Sequence, residues 1–203
     1  MSAPIPNTAD RIVQAAMTLF GEKGYGSTSV ADILREADAN SGSLYHVFPT
    51  KQDVLIAVLR RYAEGIEPML LAPAFAGVGD PIERVFALLG FYRQALTITD
   101  CLFGCPIGSL ALEIHEPDPP VRELLAANFS GWVAAVEHCL DAAGDRLPAG
   151  TDRHGLAQLV LSVMEGGVMQ ARTHRDLAGF DAGVAALRHY FTLLQTMANG
   201  DAA

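Results

Sequence analysis

Small and hydrogen-bonding side chains are concentrated in the stretch from Thr28 to Lys51, which reads TSVADILREADANSGSLYHVFPTK. A helix is predicted from about Ser41, with Ser, Gly and Ser at its start and Leu44 turned towards a core. Such a start suits a helix in the major groove of DNA, because small residues let the backbone approach base edges and phosphates. Lys51 follows in the first turn of the next helix, where the helix dipole disfavours a cation unless a phosphate lies nearby. The candidate DNA contacts are Thr28, Ser29, Ser41, Gly42, Ser43, Tyr45, His46 and Lys51.

Two short helices and the beginning of a longer one must position these residues. Apolar residues at helical spacing predict the first short helix, which Thr28 or Ser29 can cap. The Asp and Asn of the ADAN segment that follows tolerate left-handed backbone, so a turn is predicted there. Thr50 and Asp53 form a capping-box pattern at the start of the longer helix. The side chains predicted to face the core are Val30, Ile33, Leu34, Ala37, Leu44, Val47 and Phe48.

Residues Arg11 to Leu59 resemble the DNA-binding domain of the TetR/AcrR family of bacterial transcriptional regulators. The resemblance lies in LFGEKGYGSTSVADI followed by GSLYHVFPTKQDVL, and it covers a three-helix unit and the start of a fourth helix. The sequence departs from the family in the turn between the second and third helices. The family usually has Gly then Val there, and this chain has Asp38 and Ala39.

This resemblance implies an all-α fold, and the periodicity agrees because no segment alternates apolar and polar residues convincingly. About nine helices are expected in total. Residues 1–49 would form the helix-turn-helix DNA-binding domain and 50–67 a connecting helix. Residues 68–203 would form a C-terminal helical domain for ligand binding and dimerisation.

Charge is distributed unevenly along the 203 residues, whose formal net charge is −9. Residues 1–62 contain six basic and six acidic residues, so the remainder carries the whole excess of acid. DNA would repel that remainder but not the N-terminal part. Three cysteines are too few for a secreted disulfide scaffold, and neither a signal peptide nor a bilayer-spanning apolar run is visible. We therefore expect a cytoplasmic protein without a membrane partner.

A second group of residues, aromatic and methionine side chains with a few polar ones, suggests a ligand cavity in the C-terminal part. The family resemblance implies a small-molecule pocket between helices five to eight. An individual aromatic residue or methionine is more often ordinary core, so that alternative stays open for each of them. The candidate ligand-binding residues are Phe86, Tyr92, Phe103, Cys105, Asn128, Phe129, Trp132, Met164 and Glu165, with Met169 and Gln170 as further candidates.

Cys105 has two interpretations. The segment GCPIGSLALE resembles the start of the sixth helix in a branch of the family where a cysteine at this position can respond to electrophiles or oxidants. The helix start could lower the pKa of the Cys105 thiol, with Cys101 as a resolving partner. The other interpretation is a small buried apolar residue. A metal site is not predicted, since Cys101, Cys105 and His115 supply too few donors for structural zinc, and no cofactor is expected.

Homodimerisation is predicted through the last two long helices. Gly166 and Gly167 interrupt the first of them at a cost of roughly 1–2 kcal/mol in helix propensity. Close packing against a partner helix would justify that cost, and packing within one chain would justify it equally. The candidate interface residues are Leu159, Val163, Gly166, Gly167, Leu187 and Phe191.

These patterns predict a ligand-responsive transcriptional regulator rather than an enzyme. We expect a repressor that binds double-stranded, palindromic operator DNA as a dimer and is released by a small, mostly apolar inducer. A repressor that senses oxidants or electrophiles through Cys105 is the alternative, and a helical enzyme or interaction module without DNA binding is a remote one. The enzyme alternative lacks a Gly-x-Ser-x-Gly elbow, a phosphate loop, a dinucleotide fingerprint and a His-Glu-x-x-His motif.

Overall fold

The computed structural model describes residues 7–200, in which all regular structure is helical. The all-α prediction is confirmed. The helices are α1 (Thr8–Lys23), α2 (Val30–Glu36), α3 (Ser41–Val47), α4 (Lys51–Gly65), α5 (Ala72–Phe75), α6 (Pro81–Ile98), α7 (Pro106–Glu113), α8 (Pro119–Ala142), α9 (Arg153–His174) and α10 (Ala178–Gly200). A π-helical segment, Ile66–Leu71, joins α4 to α5, and a 3₁₀ turn, Gly144–Arg146, follows α8.

Side-chain caps set the beginnings of the N-terminal helices. Ser29, not Thr28, caps α2, in a reciprocal capping box with Asp32. The predicted box of α4 is also present: the Thr50 backbone N–H donates to Asp53 Oδ2 over 2.9 Å, and the Asp53 N–H donates to Thr50 Oγ1 over 3.1 Å. These caps fix where α2 and α4 start, and therefore how much chain remains for α3 between them.

The turn between α2 and α3 has left-handed backbone at Asp38, where φ is 47°. Glycine adopts this region without a steric penalty, and aspartate is among the few other residues that tolerate it. The departure from the family pattern at this position therefore preserves the turn.

The junction of α4 and α5 contains Pro68, which the sequence predicts to weaken the helix. A proline lacks the backbone N–H of an α-helical turn, and its ring clashes with the preceding turn. The chain responds by widening into the π-helical segment Ile66–Leu71 and then resumes α-helix at Ala72. The helical chain is therefore wider over these residues, and it continues as α-helix to Phe75.

The chain divides into two compact units. The first contains the chain up to Glu64 together with Pro106–Asn128, and the second contains Gly65–Cys105 together with the chain from Phe129 onward. Residues 106–128, which the sequence predicts in the C-terminal domain, thus pack with the N-terminal helices. Ile12, Ile33, Leu44 and Val58 are fully buried in the first unit.

One core prediction for the first unit is wrong. Val47 is 44% exposed, whereas Leu44, one turn earlier on α3, is fully buried. Helix α3 ends at Val47, and Phe48, just beyond it, is half-buried. A helix this short has only about two turns, and Val47 stands at its end, where the chain leaves the core.

The second unit is built around α6, the later part of α8, and the closely packed pair α9 and α10. Phe180 and Phe191 of α10 are among its most deeply buried side chains. No helix within residues 7–200 is long and apolar enough to cross a membrane.

The two adjacent glycines of α9 differ in their surroundings, which gives a matched pair of variants. A methyl group on Gly167 would lie 2.8 Å from Phe180 Cδ2 and 3.2 Å from Phe180 Cα, whereas one on Gly166 would meet no atom within 4 Å. We expect Gly167→Ala to destabilise the protein by about 1–3 kcal/mol through overpacking. Gly166→Ala should be neutral or stabilising by up to about 1 kcal/mol. Thermal denaturation of both variants tests this, and an equal loss at Gly166 would contradict it.

Candidate DNA-binding surface and ligand site

Helix α3 presents its polar side to solvent. Ser41, Gly42 and His46 are exposed, and Tyr45 is 54% exposed. Ser43 lies in the same helix, but its side chain is outside the part of the chain that the structure describes. Leu44 anchors the helix from the opposite side, so an exposed edge of small and hydrogen-bonding groups faces outward, as the DNA-binding prediction requires.

Thr28 does not belong to this surface. Its side chain is 1% exposed, and its hydroxyl donates to the carbonyl of Gly24 over 2.7 Å. It anchors the turn between α1 and α2 from inside the unit, so its predicted role as a DNA contact is replaced by a structural one. Ser29 is exposed, but its hydroxyl is engaged in capping α2 with Asp32.

Lys51 is half-buried at the start of α4 and already has partners in the protein. Its ammonium donates to the carbonyl of Tyr25 and lies 4.1 Å from the centroid of the Tyr25 ring. Burial lowers the pKa of Lys51, and the nearby Glu113 carboxylate opposes that shift. Its contact with a DNA phosphate stays a prediction. The structure adds a second role, because Lys51 also fixes the turn that contains Tyr25.

The predicted ligand-binding residues of the second unit come together in part. Trp132 Nε1 donates to the Tyr92 hydroxyl over 3.1 Å, and the Tyr92 ring centroid lies 6.1 Å from that of Phe103. Tyr92 and Trp132 are buried within the core. Burial is the main cause that raises the pKa of Tyr92, so its phenol remains protonated.

Glu165 supplies a carboxylate to this group. Its Oε1 atom is buried and has no hydrogen-bond partner. Burial raises the pKa of Glu165, and a hydrogen bond with Cys105 opposes that shift. A buried acceptor without a donor is costly, so this oxygen could accept a hydrogen bond from another group.

Other predicted ligand residues lie elsewhere. The Asn128 amide donates to the carbonyls of Leu59 and Leu124, over 3.0 and 2.8 Å, and so belongs to the first unit. Phe86 packs edge-to-face on Phe191, with ring centroids 5.3 Å apart, and beneath the Arg188 guanidinium. Three further candidates are not buried in the interior: Phe129 is half-buried, and Met169 and Gln170 are exposed. Met164 is buried in the core, and its contact with a ligand stays a prediction.

Cys105 is buried, as are Cys101 and Cys139, and none of the three forms a disulfide. Reactive thiols are found in electropositive, partly exposed surroundings, whereas Cys105 is hydrogen-bonded with a carboxylate. These surroundings favour the structural interpretation of the thiol. Among the described residues, no group of three or more His, Cys, Asp and Glu side chains could hold a metal.

Glu165 should leave a signature in the dependence of stability on pH. An ordinary glutamate titrates near pH 4.3 in the unfolded chain, and burial raises this pKa in the fold. Ionised Glu165 therefore lowers stability as pH rises through the interval between the two pKa values.

Glu165→Gln should raise Tm at pH 7.5, by about 2–4 °C for each kcal/mol of unfolding free energy gained. Its advantage should shrink at pH 5. Glu67→Gln, at an exposed site in the same unit, is the control, and a gain independent of pH would contradict this.

The predicted dimer helices place their residues differently from expectation. Gly167, Leu187 and Phe191 are buried in the core of their own chain, and Val163 is half-buried. The close approach of Phe180 explains the glycine at position 167. Solvent-exposed apolar side chains instead recur at helical spacing along α10, and two more are exposed on α9. We call them the α9/α10 stripe: Leu159, Met169, Tyr190, Leu193 and Met197.

Taken together, the fold and the exposed edge of α3 define a class: a helix-turn-helix DNA-binding protein with a helical C-terminal part. Residues 12–58 match the family described as "Bacterial regulatory proteins, tetR family", and residues 81–185 match "Transcriptional regulator LmrA/YxaF-like, C-terminal domain". The chain belongs to the TetR family of transcriptional regulators, and it is a DNA-binding regulator rather than an enzyme.

Individual relatives resemble the chain over most of its length. It is 33% identical, over 89% of this chain and 92% of the relative, to an uncharacterised helix-turn-helix transcriptional regulator of Mycobacterium tuberculosis. It is 22% identical to the transcriptional repressor NemR of Escherichia coli, over 95% and 96% of the two chains. A TetR-family regulator from Agrobacterium tumefaciens has a similar structure, with a TM-score of 0.77, 26% identity, and 92% and 97% of the two chains covered.

Proposed function

We propose that this regulator is a homodimeric repressor that binds a two-fold symmetric operator through α3 and releases it when a small molecule binds inside the second unit. The observation that carries the DNA-binding part is the exposed edge of α3, with Tyr45 and His46 outward and Leu44 buried beneath them. The caps of α2 and α4 hold this helix in place from both sides. The similarity to NemR, a transcriptional repressor, supports the direction of regulation.

The α9/α10 stripe supports the dimer. Tyr190, Leu193 and Met197 follow helical spacing on one face of α10. Leu159 and Met169 are exposed apolar side chains of the neighbouring helix α9, about 80° apart around its axis. Several exposed apolar side chains on one helix face are typical of an interaction site. A two-fold interface uses the same patch on both chains, and a dimer of this class reads two half-sites about 34–36 Å apart.

The ligand should be small and mostly apolar or aromatic, with one hydrogen-bond donor or cation. The aromatic rings of Tyr92 and Trp132 suit the apolar part, and the unpaired Glu165 Oε1 suits the donor. Such a ligand releases DNA only if it prefers the conformation that cannot bind the operator. A hundredfold preference corresponds to a coupling of about 2.7 kcal/mol.

A mobility-shift assay with DNA that flanks the gene tests the proposal. We expect a specific complex at moderate salt that survives an excess of unrelated DNA, and a footprint with two-fold symmetry. The unrelated DNA is the control for purely electrostatic binding. Binding that unrelated DNA removes equally well would contradict the proposal.

Covalent sensing through Cys105 is the second candidate. Its hydrogen bond with Glu165 ties the thiol to the same polar group, so alkylation or oxidation of the sulfur would break that bond. Cys101 would be the resolving partner. The variant Cys105→Ser separates the two mechanisms: a repressor that binds its inducer non-covalently stays inducible, whereas a thiol sensor loses its response to electrophiles.

A further inference from the structure

The carboxylate of Glu113 binds two backbone N–H groups that are almost ninety residues away in sequence. Oε2 accepts from the Tyr25 N–H over 2.8 Å, and Oε1 accepts from the Gly26 N–H. Glu113 is the last residue of α7, and Tyr25 and Gly26 lie in the turn between α1 and α2. All three residues belong to the first unit.

The turn is shaped to receive this carboxylate. A methyl group on Gly24 would lie 2.9 Å from Glu113 Oε2, and one on Gly26 would lie 3.0 Å from Oε1. Side chains at either position would therefore crowd the carboxylate. Gly24 also has a φ of 84°, which favours glycine.

Lys51 holds the same turn from the start of α4. Its ammonium donates to the Tyr25 carbonyl, while Glu113 accepts from the Tyr25 N–H. One residue of the turn is thus bound through both its backbone groups by side chains from two other helices. We call Glu113, Lys51 and the Tyr25–Gly26 backbone the turn clamp.

The turn clamp lies next to both ends of the segment that contains α2 and α3. The buried anchor Thr28 and the cap Ser29 follow within three residues of Gly26, and α2 begins immediately after them. Lys51 begins α4, a few residues after α3 ends. The clamp therefore connects the chain just before α2 with the chain just after α3.

We propose that Glu113 is a positioning residue for DNA recognition: it fixes the turn before α2 and so holds α2 and α3 in the arrangement that binds DNA. It does not touch DNA in this role. The contact is solvent-exposed, so it contributes little to global stability. Its effect should appear in DNA affinity, because a loosened α2–α3 pair must be ordered again at each binding event.

The direction of the change in DNA affinity distinguishes this positioning role from a simple effect of charge. Removing a negative charge from a DNA-binding unit normally strengthens its attraction to phosphates. Glu113→Gln keeps only one acceptor oxygen and turns an amide group towards a backbone donor, so the proposal expects weaker binding. Glu116→Gln is the matched control, because it removes the same charge three residues further on, at an exposed site.

The experiment measures the affinity of both full-length variants for the operator fragment at one salt concentration, with hydrogen exchange of the DNA-free proteins. We expect Glu113→Gln to weaken operator binding about three- to tenfold, with thermal stability little changed. Glu116→Gln should bind equally or slightly more tightly. Exchange in Glu113→Gln should increase at Tyr25 and Gly26 and extend through α2 and α3.

Operator affinity of Glu113→Gln equal to or tighter than that of Glu116→Gln would overturn the proposal. Exchange that is unchanged, or increased only at the two amides, would overturn it as well. The exchange measurement needs no DNA, so it tests whether Glu113 orders α2 and α3 even if the wild-type protein proves to bind no specific operator. A wild-type protein that binds no specific operator would refute the proposed operator binding, not the role of Glu113 in ordering the helices.

Discussion

Leu193→Glu is expected to convert the proposed dimer into monomers and to lower operator affinity by on the order of 100-fold or more. Leu193 is 48% exposed at the middle of the α10 part of the stripe, between Tyr190 and Met197. Two-fold symmetry would bring the new charge into the interface twice. An unpaired buried charge costs roughly 3–5 kcal/mol, so the interface would not tolerate two.

Sedimentation at micromolar concentration checks this prediction, together with operator affinity at fixed salt. Ile98→Glu is the control, because Ile98 is 77% exposed at the end of α6 and receives the same charge away from the stripe. The control should remain dimeric and bind DNA normally. A Leu193→Glu protein that still sediments as a dimer would place the interface on another surface.

Tyr45→Ala is expected to weaken operator binding by about 10- to 100-fold while leaving Tm nearly unchanged. The Tyr45 side chain projects from the exposed edge of α3, so its removal opens no cavity in the core. Loss of one recognition contact on DNA costs roughly 1–3 kcal/mol. Each chain of a dimer would lose one contact, and two losses of about 1 kcal/mol together weaken binding roughly 30-fold.

Fluorescence anisotropy with labelled operator DNA at constant salt measures this loss. Leu112→Ala, at another exposed site in the first unit, is the control and should have no effect. Tyr45→Phe adds detail: a loss as large as that of Tyr45→Ala assigns the contact to the hydroxyl, and a small loss assigns it to the ring. Unchanged affinity in Tyr45→Ala would remove this side chain from the DNA interface.

The ends of the N-terminal helices are predictable from the sequence because they depend on residues that are close together in the chain. The Thr50–Asp53 capping box and the left-handed residue in the ADAN turn are features of a few adjacent positions. The Thr28 side chain was placed wrongly because its hydroxyl could serve either a cap or an interior carbonyl. Only the folded unit shows that it is buried against Gly24.

Long-range packing limited the prediction of the other sites. Asn128 looked like a ligand contact, but its amide meets the carbonyl of Leu59, sixty-nine residues earlier in the chain. Apolar periodicity in α9 and α10 could not tell the stripe that meets the core from the stripe that faces outward, so Leu187 and Phe191 were assigned to the wrong side. The contact of Glu113 with the turn is not predictable from the sequence, because its partners are backbone N–H groups and no side-chain pattern indicates them.

Helix α7 is only eight residues long, and it begins directly after Cys105 and ends at Glu113. A single inserted or deleted residue would turn the carboxylate by about 100° around the helix axis and shift it by about 1.5 Å. Its two oxygens could then no longer face the Tyr25 and Gly26 amides. The number of residues from Pro106 to Glu113, both in the first unit, therefore sets where the carboxylate meets the turn, whatever the solvent-exposed side chains of α7 are.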